Sequence, residues 1–170
     1  MKPAHEGLAM PRKVPVQIGD VKVGRADALL FTIGLGSCVA IALYDPVARV
    51  GGMAHAMLPT PANGRQGLPE GRFVTTAVPA LLAHMIEHGA EVSRLRARLA
   101  GGASMFESVL TDYGRKLGPR NVQAARDTLA GIGIPVDGED VGGSHGRSVF
   151  LTVADGRLVV TSVHHADVIL

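Results

Sequence analysis

Gly34-Leu-Gly-Ser-Cys-Val-Ala-Ile-Ala-Leu-Tyr-Asp-Pro46, followed by Val50-Gly-Gly-Met-Ala-His-Ala-Met-Leu58, decides how this chain reads. Val39, Ile41 and Leu43 alternate with Cys38, Ala40 and Ala42, which is the period-2 signature of a strand. Val50–Leu58 reads as the returning strand. Proline at the second position of Asp45-Pro46-Val47-Ala48 suits a type I turn. If Asp45 faces Ala48, the register sets Cys38 directly opposite His55 on one face, with Cβ atoms about 5 Å apart. A bulge at Gly51-Gly52 would shift that register.

Cys38 is the only cysteine of the 170 residues. Taken alone, a free cysteine in an apolar strand is more often a small buried hydrophobe than a nucleophile. A glycine-rich turn before it and an imidazole across from it are what a nucleophilic cysteine needs. Backbone amides around Gly36 and Ser37 could hold an oxyanion. Ser37 is the weaker nucleophile beside a thiol. The turn is not a phosphate-binding loop, because no Gly-Lys-Ser/Thr follows.

Working outward, the N-terminal third is strand-rich. Val14, Val16 and Ile18 alternate, Val21 and Val23 follow, and Leu29–Ile33 forms a further strand. Residues 1–13 are polar and proline-spotted and read as a flexible tail, with 14–170 as one domain. Thr60–Gly71, with its prolines and glycines, reads as a loop or flap over the site. Phe73–Ile86 has helical spacing and stops at Gly89, with Pro79 expected to kink it or delay its start. Arg94–Leu99 alternates strictly and reads as a strand with a solvated basic face. Gly101–Ser108 opens with a glycine pair that permits close backbone approach. Pro119–Ala130 reads as a second helix opened by its proline. Ile132–Val136 is a strand and Gly138–Gly146 a glycine-rich loop. Ser148–Val153 and Leu158–Val163 form a hairpin at Asp155-Gly156. The fold class is α/β: a layered sandwich with a mixed sheet core and two main helices.

Composition narrows the function. A hydrophobic fraction of 46% marks a globular chain, and a net charge of +2 with 4% aromatics gives little for nucleic acid to bind. No run is apolar for long enough to span a bilayer, and no apolar segment follows Lys2, Arg12 and Lys13 as a signal peptide requires. With a single cysteine and no disulfide, a cytoplasmic location is expected. His84-Met-Ile-Glu-His88 matches an inverted zinc-peptidase pattern, but it is short and lacks a clearly placed third ligand. His164-His165 point to opposite faces if extended, and His145 reads as a surface residue.

The two quoted stretches resemble the chemoreceptor glutamine deamidase family, CheD. Ala100-Gly-Gly-Ala-Ser-Met-Phe106, Gly118-Pro-Arg-Asn121 and Glu139-Asp-Val-Gly-Gly143 resemble it in the same order. Pro79 and Ser144–Arg147 look less typical of the family. The resemblance implies an α/β sandwich and a Cys-His-Thr site. Cys38 corresponds to the nucleophile, His55 to the base and Thr32 to the third member. Read without the family, Thr32 is an ordinary β-branched strand residue, which a turn at Gly34-Leu35-Gly36 would bring opposite Cys38. The implied reaction converts receptor glutamines to glutamate with release of ammonia, and it calls for no metal or organic cofactor. The implied partners are the cytoplasmic helical domain of a chemoreceptor and a CheC-type phosphatase. An adaptor for that phosphatase is the alternative function.

Overall fold

The computed structural model describes residues 9–62, 68–105 and 111–170. Residues 1–8 of the expected tail, 63–67 of the expected flap and 106–108 of the segment opened by Gly101 lie outside them.

Two five-stranded mixed sheets and two helices form three layers. The first sheet contains β1 (Arg12–Pro15), β3 (Ala28–Leu35), β8 (Arg147–Thr152), β9 (Arg157–Thr161) and β10 (Val168–Ile169), in that order. The second runs β2 (Val21–Arg25), β5 (Val50–Ala56), β4 (Val39–Asp45), β6 (Arg96–Gly101) and β7 (Val136–Val141). Helices α1 (Val74–Glu87) and α2 (Asp112–Ile132) cover its other face.

The second sheet is therefore covered on both sides, and every residue of β4 and β5 is buried. Val39, Ile41 and Leu43 pack with Val78, Leu81 and Leu129 of the helices. Ala40, Ala42 and Met53 pack with Leu30, Val149 and Leu151 of the first sheet. A Cβ on Gly51 would press on Val153, and one on Gly52 on Leu81. The glycine pair thus admits one neighbour on each face, and the ladder passes through it without a bulge.

The hairpin register differs from the sequence expectation. Asp45 pairs with Val50, not Ala48, so Ala40 faces His55. The loop contains Pro46, Val47, Ala48 and Arg49, the last in the left-handed region at φ 52°. The Asp45 carboxylate accepts from the backbone N–H of Val47 and Ala48 at 2.9 and 3.0 Å and anchors this longer loop. Because the slip is two residues, Cys38 keeps the face expected for it.

The expected turn between Thr32 and Cys38 is also absent. β3 pairs with β1 and β8, whereas β4 lies in the other sheet, so Gly36-Ser37 crosses between layers. Helix α1 begins at Val74, well before Pro79, because the carbonyls of Leu58 and Pro59 accept from the N–H groups of Val74 and Thr75. Helix α2 begins at Asp112, not Pro119: Thr111 caps it, its hydroxyl accepting from Gly114 at 3.3 Å. It ends at Gly133, which is left-handed at φ 86°. The last core strand before the C-terminal hairpin is Val136–Val141, later than expected, and it pairs parallel to β6.

Two arginines of the expected solvated stripe make internal contacts. Arg94 reaches the buried Asp45 carboxylate at 2.9 Å, and Arg98 donates to the Gly156 carbonyl.

Candidate active site

His55 lies on β5 and Thr32 on β3, and both side chains enter the space between the two sheets. Burial alternates along β3, so Ala28, Leu30 and Thr32 point inward, and the register breaks just after Thr32. Thr32 Oγ1 lies 2.8 Å from His55 Nδ1. The two residues are 3% and 2% exposed. The backbone holds His55 as well: its N–H donates to the Asp20 carbonyl, and its carbonyl accepts from Gly19. His55 Nε2 is buried and has no hydrogen-bond partner among the described residues.

Cys38 is half-buried immediately before β4, on the same face as Ala40 and therefore as His55. It lines a depression of about 340 Å³ with Gly36, Ser37, Ala103, Met105, Gly114 and Leu117. His55 and Thr32 line a separate depression with Val16, Ile18 and Ile33. No hydrogen bond joins the thiol to the imidazole among the described residues.

The turn carrying Cys38 is held from β6 and α2. The Cys38 carbonyl accepts from Gly102 N–H at 2.8 Å, and the Gly36 carbonyl accepts from Ala103 N–H at 2.8 Å. Asn121 of α2 donates to the Ser37 and Met57 carbonyls. Asn121 falls in a stretch quoted above, but no local pattern assigns its side chain a role. Its partners lie just outside β4 and β5, which only the fold brings to α2.

Burial raises the Cys38 thiol above the ordinary 9.0, opposed by its own backbone N–H. Burial lowers His55 below 6.5, opposed by the Val16 carbonyl and the Asp20 charge. Both shifts favour the neutral form of the group. A neutral thiol and a neutral imidazole suit proton transfer during attack rather than a preformed ion pair.

Four other histidines are engaged elsewhere. His84 contacts Glu70 through Nε2 at 2.7 Å and Glu87 through Nδ1 at 3.4 Å, and His88 contacts the His84 carbonyl. The described residues contain no cluster of three His, Cys, Asp or Glu side chains arranged to hold a metal. His145 stacks on His165 with ring centres 4.0 Å apart. No helix among the described residues is long and apolar enough to cross a membrane.

A family model described as CheD chemotactic sensory transduction matches residues 57–162. The chain is 44% identical over 151 residues to the chemoreceptor glutamine deamidase CheD of Thermotoga maritima, covering 89% of this chain and 92% of that protein. It is 41% identical over 150 residues to a probable chemoreceptor glutamine deamidase CheD of Caldanaerobacter subterraneus, covering 88% and 93%. A third relative, from Pyrococcus abyssi and of the same description, is 42% identical over 161 residues, covering 94% and 98%.

Proposed function

This chain belongs to the CheD family of chemotactic sensory transduction, and we propose that it hydrolyses glutamine side chains of chemoreceptors to glutamate with Cys38 as nucleophile. The observation that carries this reading is the Thr32–His55 contact at Nδ1, with no hydrogen bond to Nε2 among the described residues. When His55 donates from Nδ1 to Thr32, the lone pair on Nε2 is available as a base.

In the proposed reaction His55 Nε2 takes the thiol proton as Sγ attacks the carboxamide carbon. Backbone N–H groups of Gly36, Ser37 and Cys38 receive the charge on the carboxamide oxygen. The tetrahedral adduct expels ammonia, which leaves with the proton returned by His55. Water, deprotonated by the same imidazole, then cleaves the thioester and restores the thiol, leaving glutamate. Thr32 orients the ring, the third-group role in triad logic. No step calls for a metal or organic cofactor. Residues 14–170 act as one deamidase domain, and the substrate is the cytoplasmic helical domain of a receptor, so the enzyme works in the cytoplasm.

The test is peptide mass spectrometry of a co-expressed receptor signalling domain with wild-type protein and with Cys38→Ala. The expected result is a gain of about one mass unit at particular glutamines with the wild type only, because the thiol forms the covalent intermediate. Unchanged conversion by Cys38→Ala would overturn the mechanism.

A second role, binding and stimulating a CheC-type phosphatase, is favoured by apolar surface beside the site. Ile33 is 67% exposed and Met105 42%, and both line one depression next to the Cys38 turn. A pull-down and phosphatase assay with Cys38→Ala tests it, since an adaptor role does not require the thiol.

A further inference from the structure

Within the deamidase reading, on which this step rests, we infer that Asn121 is a positioning residue that fixes the Cys38 turn against the strand bearing His55. The β4–β5 ladder ends at the pair Val39–Ala56. Beyond it the chains separate. Met57 N–H turns away to the Arg72 carbonyl, and the Cys38 carbonyl turns to Gly102. At that point one side-chain amide takes over. Asn121 Nδ2 donates to the Ser37 carbonyl at 2.9 Å and to the Met57 carbonyl at 3.0 Å. The first acceptor immediately precedes Cys38, and the second lies two residues after His55.

The orientation of the amide is fixed by chemistry. Both partners are carbonyls, which only accept, so the NH2 group must face them. Asn121 is 0% exposed, and its Oδ1 has no partner among the described residues. A buried amide with an orphaned acceptor carries a desolvation cost that an apolar side chain of similar size would avoid. What the amide supplies in return is two donors on one nitrogen.

The neighbouring residues bring it there. A Cβ on Gly118 would run into the Gly102 and Ala103 carbonyls, so glycine lets α2 lie directly on the end of β6. Asn121 follows three residues later, on the same side of the helix.

The experiment measures receptor deamidation, the pH dependence of Cys38 alkylation by iodoacetamide, and thermal melting, for wild type, Cys38→Ala, Asn121→Asp and Asn121→Ala. Asp keeps the shape and loses both donors; Ala loses them without adding a charge. Expected for the folded variants is a kcat lower by about tenfold or more with KM within about twofold, because misplacing the nucleophile acts on the chemical step. The midpoint of alkylation should move as well, since the thiol loses its place relative to the base. A structural role alone would lower only the melting temperature. Folded Asn121 variants with wild-type kcat and alkylation profile, while Cys38→Ala is inactive, would overturn the inference and leave the deamidase reading standing. Failure of both substitutions to fold would make Asn121 a stability determinant and overturn it equally. Full activity in Cys38→Ala would instead bring down the deamidase mechanism itself.

Discussion

The Thr32 hydroxyl and the His55 imidazole meet at 2.8 Å although β3 and β5 belong to different sheets. The contact spans the layers, so packing of one sheet on the other sets the imidazole orientation. Thr32→Val keeps the shape and removes the hydroxyl. The buried Nδ1–H then has no acceptor, and nothing holds the ring in the tautomer that leaves the Nε2 lone pair available as base. Deamidation is expected to fall by about 10²-fold, within the usual range for a general base. Stability is expected to fall by about 1–3 kcal/mol, the cost of an unsatisfied buried polar group. Thr32→Ser should keep most of both. Single-turnover deamidation and thermal melts check these outcomes.

The pH behaviour follows from burial of the two groups proposed to react, the Cys38 thiol and the His55 imidazole. The thiol is raised above 9.0, so iodoacetamide should alkylate Cys38 with a midpoint above that of an ordinary thiol. A midpoint near neutrality would instead indicate a resting ion pair and contradict the neutral-pair mechanism.

Burial holds the folded-state pKa of His55 below 6.5, so the unfolded chain takes up this proton first as pH falls. The stability associated with the neutral ring is present above 6.5 and is lost as pH falls from there toward the folded pKa. His55→Gln, which does not titrate, should flatten that part of the profile of melting temperature against pH. An unaltered slope would place the acid sensitivity elsewhere.

Asp45 closes the β4–β5 loop and is fully buried. Burial pushes its carboxyl up, but the Arg94 guanidinium and the N–H groups of Ala48, Glu91 and Val47 outweigh burial and hold it well below 3.8. Its stabilisation is complete above 3.8 and disappears as pH falls through the depressed value. Asp45→Ala removes the anchor of both the loop and Arg94, and should cost about 2–4 kcal/mol. Denaturant titrations at pH 7 and pH 3 would show it: the gap between variant and wild type should narrow at the lower pH.

How much of this was legible in the sequence differs from residue to residue. Alternation along Val39–Leu43 gave the strand and the face of Cys38, and that face survived a two-residue error in register because strand parity is two. The error came from Arg49, whose left-handed backbone no sequence preference announces, in a loop longer than Pro46 suggested. Thr32 was found through family resemblance. Its route to His55 runs across sheets, and β3 finds its partner β8 more than a hundred residues away, beyond the reach of any local pattern. Pro119 drew the start of α2 to itself, although Thr111-Asp112 carried the cap and the acidic first turn. Asn121 stood in a quoted stretch without a role, because its two carbonyl partners become neighbours only in the folded chain.

Gly101 offers the most discriminating stability test around the site. It pairs with Val39 at the end of β6 and is left-handed at φ 106°. A Cβ there would collide with the Cys38 carbonyl oxygen. Gly101→Ala therefore combines an unfavourable backbone conformation with a push on Cys38, the proposed nucleophile. Gly133 separates the two effects: it is also left-handed, at φ 86°, but a Cβ there meets nothing within 4 Å. Gly133→Ala should cost about 1 kcal/mol of stability and leave kcat unchanged, since only the conformational penalty applies. Gly101→Ala should cost more than that and also lower kcat by about tenfold or more in the molecules that remain folded, because a small shift of the thiol acts on the chemical step. Equal losses of stability in the two variants, with kcat unaffected in both, would show that the Cys38 turn yields to the extra methyl without moving the sulfur.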